Sequence, residues 1–411
     1  MKLKEMLIAI GICIFTIPSV VNANEPEITA TSGVVIDCID GKILYSKNMD
    51  ERLYPASMTN VLTAILAVEN CNMQDEVTVS QSAIDDVQYG YLTANIKEGE
   101  ILQVEQLLNL LLMSSYNDVA NVLAEHIAGD TEGFVEMMNQ KAKEIGCTNS
   151  NFVNAHGAHD ENHYSTAHDM ALIGKYAMQY DEIKDITSKI FYELGATNVY
   201  TKTDRLYQTT NEMLLSGSQN YYRYAGGIKT GFTTPAGYCF MSYSEKNDIP
   251  LVSVVMKSTT SDSRYEDTEK ILEYVYKNNT IKTIIQLGTN IQTVNIKNAT
   301  DDTKKLNVIL EKSVIAVVNV ANEKLNFEPN IELNSNLKAP IKKGEVIGKV
   351  FYEIEGKTYS ANLIAESEVK KSKTAFIFMI IFILIVITLG GLRVLSVYKR
   401  NKVLNKIRGN K

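Results

Sequence analysis

The sequence predicts an α/β body, a mixed sheet with a helical cluster, followed by a small all-β domain and one transmembrane helix. Three observations carry this. Strand patterns stand at both ends of residues 27–278 with apolar helices between them, so the two ends should meet in one sheet covered by helices. From about Ile281 the helical periodicity gives way to short strand-like runs separated by turns. Finally, Thr374–Leu392 contains no charged residue, and as a helix it would reach about 28 Å, close to the hydrocarbon thickness of a bilayer.

The elements follow in order. Residues 1–23 begin with Lys2 and Lys4, continue through the apolar run from Leu7 to Val21 and end in Asn22-Ala23, the pattern of a secretory signal peptide. Ser32 to Leu44 alternates apolar and polar residues around Asp40-Gly41, which predicts a hairpin. Residues 57–70 are apolar nearly all round and predict a buried central helix. Further helices are expected over Val104–Met113, Asp118–Ile127, Phe134–Ile145 and Ala167–Tyr180. Gly237–Tyr243 and Pro250–Met256 return to strand patterns, and Asp267–Lys277 closes the body with an amphipathic helix. Residues 281–370 then read as the small β domain, with strands near Val294–Ile296, Leu306–Leu310, Val314–Val320, Val346–Ile354 and Tyr359–Leu363. No cluster there has obvious chemistry, so spacing and packing are its expected work. Residues 393–411 carry seven Lys or Arg and no acid, which predicts a cytoplasmic tail and an external body.

Charge excludes one class of partner. The formal net charge is −7, and the basic ends conceal a balance of −15 over residues 24–392. An acidic external body argues against nucleic acid. The four cysteines beyond residue 24, Cys38, Cys71, Cys147 and Cys239, are scattered without CxxC spacing; disulfides and buried thiols both fit them.

Three short motifs hold candidate chemistry. Tyr54-Pro55-Ala56-Ser57-Met58-Thr59-Asn60 puts Ser57 at the start of the buried helix, where free backbone N–H groups favour developing negative charge. Such a serine is either a nucleophile with a base nearby or an ordinary N-cap. Ser114-Ser115-Tyr116-Asn117 interrupts two apolar helices, and alone could be a plain loop. Gly226-Gly227-Ile228-Lys229-Thr230-Gly231 offers a cation, a hydroxyl and close backbone access, a combination suited to a carboxylate.

In this order the motifs resemble those of the low-molecular-weight penicillin-binding proteins, the serine-type D-Ala-D-Ala carboxypeptidases, whose signature is SxxK, SxN and KTG. The resemblance extends over Pro55–Ala64, Leu107–Glu125, Phe134–Met178, Ala225–Tyr243 and Ser263–Tyr274, and Lys338–Val346 is similar to that family's C-terminal β domain. It implies a β-lactamase/transpeptidase-like fold. It also implies a cofactor-free, metal-free hydrolase that trims peptidoglycan stem peptides ending in D-Ala-D-Ala, is inhibited by β-lactams, and sits on the outer side of the cytoplasmic membrane. By the same resemblance Ser57 is the acylated nucleophile and Ser115 belongs to a proton relay. Asn117 holds the substrate backbone, Lys229 and Thr230 take its carboxylate, and Gly231 with its strand offers an edge. Arg264 and His163 match family residues beside the cleft.

This sequence departs from the signature at one catalytic position. The SxxK lysine is Asn60, three residues after Ser57 on the same helix face, and a carboxamide takes no proton at neutral pH. Tyr116 within SxN is expected to narrow the cleft, and Gly226 stands where an acid is common. Lys229 acting through Ser115 offers a substitute proton path. The alternative function is a catalytically degenerate peptidoglycan-binding or scaffold protein.

His156, His159, His163 and His168 fall close together and invite a metal reading, but no His-x₃-His pair lies on a confident helix, and a polar loop is the expected outcome. His126, on an apolar helix, is expected in the core.

Overall fold

The computed structural model describes residues 25–202 and 205–408, so the expected signal segment lies outside the described residues. These residues form two compact units. The first holds the chain to Lys277 apart from Asp37–Lys42 and Glu245–Pro250, and the second holds those two segments and the chain from Asn278.

The main sheet of the first unit has five strands in the order Ile43–Lys47, Ser32–Asp37, Ile249–Ser258, Gly237–Lys246 and Ala225–Thr233. The two ends of the segment do share one sheet, because strands buried on both faces need apolar partners that the intervening helical stretch lacks. The Lys-Thr-Gly motif lies on Ala225–Thr233, at the sheet's edge, with Lys229 opposite Met241 and Gly231 opposite Cys239 in antiparallel register.

The central helix is Asn60–Asn70, and all of Asn60–Ala67 is buried. It is preceded by a 3₁₀ turn, Ala56–Thr59, so Ser57 sits one turn ahead of the α-helix. Neither helical start has a side-chain cap, which overturns the N-cap reading of Ser57. The helix predicted from Val104 is α-helical to Asn109 and then widens into a π-helical turn, Leu110–Ser114. Ser115 ends that turn in the left-handed region at φ 66°, and Asn117–Ala128 starts immediately afterwards. A wide turn carries the chain out of the apolar layer with Ser115 and Asn117 at the break. His126 is exposed, contrary to the expectation of a core residue: it follows the buried stretch Asn117–Ala124 on the outward side of the helix's last turn. Helix Asp181–Ser188 and the antiparallel strand pairs Glu76–Thr78 with Ile101–Gln103 and Phe191–Leu194 with Arg205–Gln208 are additional elements.

The second unit pairs Asn279–Ile285 with Val314–Asn319 and builds a five-stranded sheet ordered Asn290–Asn295, Lys305–Leu310, Lys357–Ala365, Val346–Ile354 and Asn330–Leu333. Leu306, Val308 and Leu310 alternate inward to its core, as a half-buried strand requires. Helix Thr374–Arg408 continues past the predicted end at Leu392. It includes a stretch of mean hydropathy 2.7, long and apolar enough to cross a membrane.

Candidate active site

A cavity of about 470 Å³ is lined by Ser57, Ser115, Asn117, Thr230, Gly231 and Arg264, residues drawn from four distant parts of the sequence. Its walls also include Tyr91, His159, Thr210 and Phe232.

Close packing holds Ser57 in place. Ala56, just before it, has φ 49°, an uncommon left-handed conformation for a residue with a Cβ. The carbonyl of Ala56 presses on Gly157, where a Cβ would come within 1.9 Å of that oxygen. On the other side stands Gly231: a Cβ there would lie 3.0 Å from the Pro55 carbonyl oxygen and 3.2 Å from the Ser57 nitrogen. The Lys-Thr-Gly strand and the start of the central helix are therefore packed backbone to backbone. That approach is why glycine is needed at 231.

His163 supports the same turn from beneath. The Val153 N–H donates to its Nδ1 at 3.2 Å, so Nε2 carries the proton and donates to the Thr59 hydroxyl at 2.9 Å. The ring is 1% exposed and does not line the cavity, which corrects its expected place beside the substrate. Burial, with a smaller contribution from His156, lowers its pKa to about 3. The other histidines diverge: His156 accepts from the Ala158 N–H, His159 packs edge-on against Tyr54, and His168 lies 3.4 Å from Asp50. Among the described residues no three His, Cys, Asp or Glu side chains converge as metal ligands. Cys71, Cys147 and Cys239 are free thiols.

The second wall comes from the Ser115–Asn117 break. The Asn117 N–H donates to the Leu92 carbonyl, and both oxygens of Asp118 accept from the Ala94 N–H at 3.0 Å. Asp118 is buried, which raises its pKa against the N–H bonds that lower it. These bonds fasten loop residues Gly90 to Leu92 onto the cavity. Tyr116 does not narrow the cleft. Its ring turns to meet Tyr207 edge-on, 5.7 Å between centroids. At Gly226 the space for a side chain is taken by the Tyr243 ring, 2.8 Å from where a Cβ would be.

The third wall is polar and cationic. Thr230 and Thr210 share a hydroxyl hydrogen bond of 2.7 Å, the Tyr265 hydroxyl donates to the Thr210 carbonyl, and Arg264 donates to the Tyr265 oxygen. Arg264 Nε is buried without a partner among the described residues, so the guanidinium retains donor capacity next to the cavity. Lys229 is 1% exposed, outside the cavity surface, and its ammonium donates to the Thr230 carbonyl at 2.9 Å. Burial, reinforced by the charge of Arg264, lowers its pKa to about 7. No hydrogen bond joins Lys229 to Ser115 among the described residues, so the path expected between them is not formed. Instead Ser115 Oγ accepts from the amide nitrogen of Asn60 at 3.2 Å. Asn60 is fully buried and its Oδ1 has no partner among the described residues. The arrangement offers a nucleophile, hydroxyls, an amide and a permanent cation, but no amine at the position beside Ser57.

Of these residues, the sequence identified Ser57, Ser115, Asn117, Thr230, Gly231 and Arg264. Tyr91 and Thr210 carried no motif, and His159 was visible only as one of a histidine group.

Comparison with known proteins gives a consistent picture. Residues 19–260 match the family model described as D-alanyl-D-alanine carboxypeptidase, and residues 275–371 match the C-terminal domain of penicillin-binding protein 5. The chain is 30% identical over 356 residues to the D-alanyl-D-alanine carboxypeptidase DacF of Bacillus subtilis, covering 85% of this chain and 87% of that one. It is 32% identical over 380 residues to DacA of Haemophilus influenzae, covering 89% and 91%. Penicillin binding protein 5 from Haemophilus influenzae has a solved structure that superposes with a TM-score of 0.69 at 29% identity, over 85% of this chain and all of that one.

Proposed function

From the premise that this chain belongs to the D-alanyl-D-alanine carboxypeptidase family, we propose that it cleaves terminal D-alanine from peptidoglycan stem peptides through an acyl-enzyme on Ser57, slowly. The observation that carries this reading is the single cavity shared by Ser57, Ser115, Asn117, Thr230, Gly231 and Arg264.

In this mechanism the peptide lies along the edge strand Ala225–Thr233, which has a sheet neighbour on one side only, and pairs with it as an added strand. Its terminal carboxylate meets the Thr230 hydroxyl and Arg264, with the charge of Lys229 behind them. Asn117 holds the substrate amide. Ser57 Oγ attacks the penultimate carbonyl carbon. The Oγ–C bond forms, the peptide C–N bond breaks, and the serine proton ends on the departing D-alanine nitrogen. Water then hydrolyses the ester and returns a proton to Ser57. The step is slow because Asn60 supplies a carboxamide where proton transfer needs a base; general-base catalysis contributes about 10²–10⁴-fold.

The buried carboxamide of Asn60, whose Oδ1 has no partner among the described residues, favours a second reading, a protein that binds the same peptide without turning it over. In either reading the apolar helix anchors an external body to the membrane. Incubating the full chain in detergent with an acyl-D-Ala-D-Ala peptide separates the two readings. Slow D-alanine release that disappears in Ser57→Ala supports turnover, and peptide binding without release supports the second reading.

A further inference from the structure

We propose that His159 is the proton acceptor of this site. The proposal rests on the acyl-enzyme reading above and identifies the group that makes it chemically feasible without a lysine at position 60.

Apart from His159, the side chains lining the cavity are hydroxyls, a phenol, an amide, hydrocarbons and the guanidinium of Arg264, none of which accepts a proton at neutral pH. An imidazole does so across the physiological range. His159 therefore has the right chemistry in the right cavity. Neither ring nitrogen has a hydrogen-bond partner among the described residues, and Nδ1 is buried, which assigns the step to Nε2.

The surroundings position that ring. It packs edge-on to Tyr54, 4.6 Å between centroids, three residues before Ser57. Its backbone N–H donates to the Tyr91 oxygen at 3.0 Å, tying it to the opposite loop. Arg264 shares the cavity. On its other side His159 borders a second cleft, lined by Asp86, Glu132, Glu136 and Asp160 together with His156. In the step itself the Ser57 O–H bond breaks as Oγ–C forms, and the proton passes to Nε2 directly or through water. The leaving amine then takes it as the C–N bond breaks.

The test is the rate of Ser57 labelling by fluorescent penicillin, using the full chain in detergent across about pH 5–9. The unaltered chain should label faster as imidazoles lose their proton. His159→Gln should lower the rate about 10²-fold and remove that pH rise, and added imidazole should partly restore labelling in His159→Ala. Equal thermal unfolding midpoints would exclude misfolding. Unchanged rates and pH profiles in both variants, with Ser57 still labelled, would overturn the role of His159 while leaving the acyl-enzyme intact. If the unaltered chain forms no Ser57-dependent adduct, both fall.

Discussion

The side-chain amide of Asn60 donates a hydrogen bond to the Ser115 hydroxyl at 3.2 Å, in a place from which solvent is excluded. The two motifs are thus joined by a neutral contact that holds geometry without moving a proton. On the acyl-enzyme proposal, the carboxamide leaves Ser57 without an amine at this position.

Restoring an amine is the first consequence. Asn60→Lys should accelerate penicillin labelling of Ser57 by about 10²-fold or more, read as adduct against time on a gel. An unchanged rate would show that deprotonation of Ser57 does not limit the reaction.

The contact at Gly231 gives a second prediction. Gly231→Ala pushes a methyl group against the Pro55 carbonyl and the Ser57 nitrogen, both already at 3.0–3.2 Å from that position. Overpacking of this kind costs about 1–3 kcal/mol. The variant should unfold at lower denaturant and label at least about tenfold more slowly, because the strand must retreat from the helix start.

Much of this could be read from sequence for identifiable reasons. The central helix was legible because residues 60–67 are buried on every face and, Asn60 and Thr63 apart, apolar. The strand alternation of Leu306, Val308 and Leu310 gave the small β domain. The cavity could be anticipated as far as Ser57, Ser115, Asn117 and the Lys-Thr-Gly strand. What escaped was orientation. Tyr116 turns to Tyr207, His163 lies beneath the helix start, and Lys229 is buried against the Thr230 carbonyl, all matters of which way a side chain points from a correctly placed backbone. Thr210 is brought in by a hydroxyl pair with a residue twenty positions away, for which no local pattern exists.

Lys229 predicts how stability varies with alkaline pH. Its pKa falls from 10.5 to about 7 on folding, chiefly through burial. Between those values the unfolded chain holds a proton that the folded chain has released, so this group makes stability rise with pH through that interval, and its cost is full below about 7. Lys229→Met should therefore raise the urea midpoint most at acidic pH and flatten its rise toward pH 10.5. A wild-type slope retained in the variant would refute the assignment.

Acid has the opposite effect through the buried histidines. Burial lowers His156 from 6.5 to about 4 and His163 from 6.5 to about 3. The unfolded chain takes up these protons first, so stability is full above about 6.5 and is lost as pH falls toward those lower values. His156→Gln should show a shallower loss over this range in denaturant titrations. His163→Gln should additionally lose stability at neutral pH, since it disturbs the bridge between Val153 and Thr59.

The most direct test of the account is intact-mass analysis of the full chain after prolonged exposure to penicillin. The account predicts a single added penicilloyl group, formed slowly, mapped to the peptide containing Ser57 and absent in Ser57→Ala. No adduct at saturating drug and long times, in protein whose fold is intact, would contradict it.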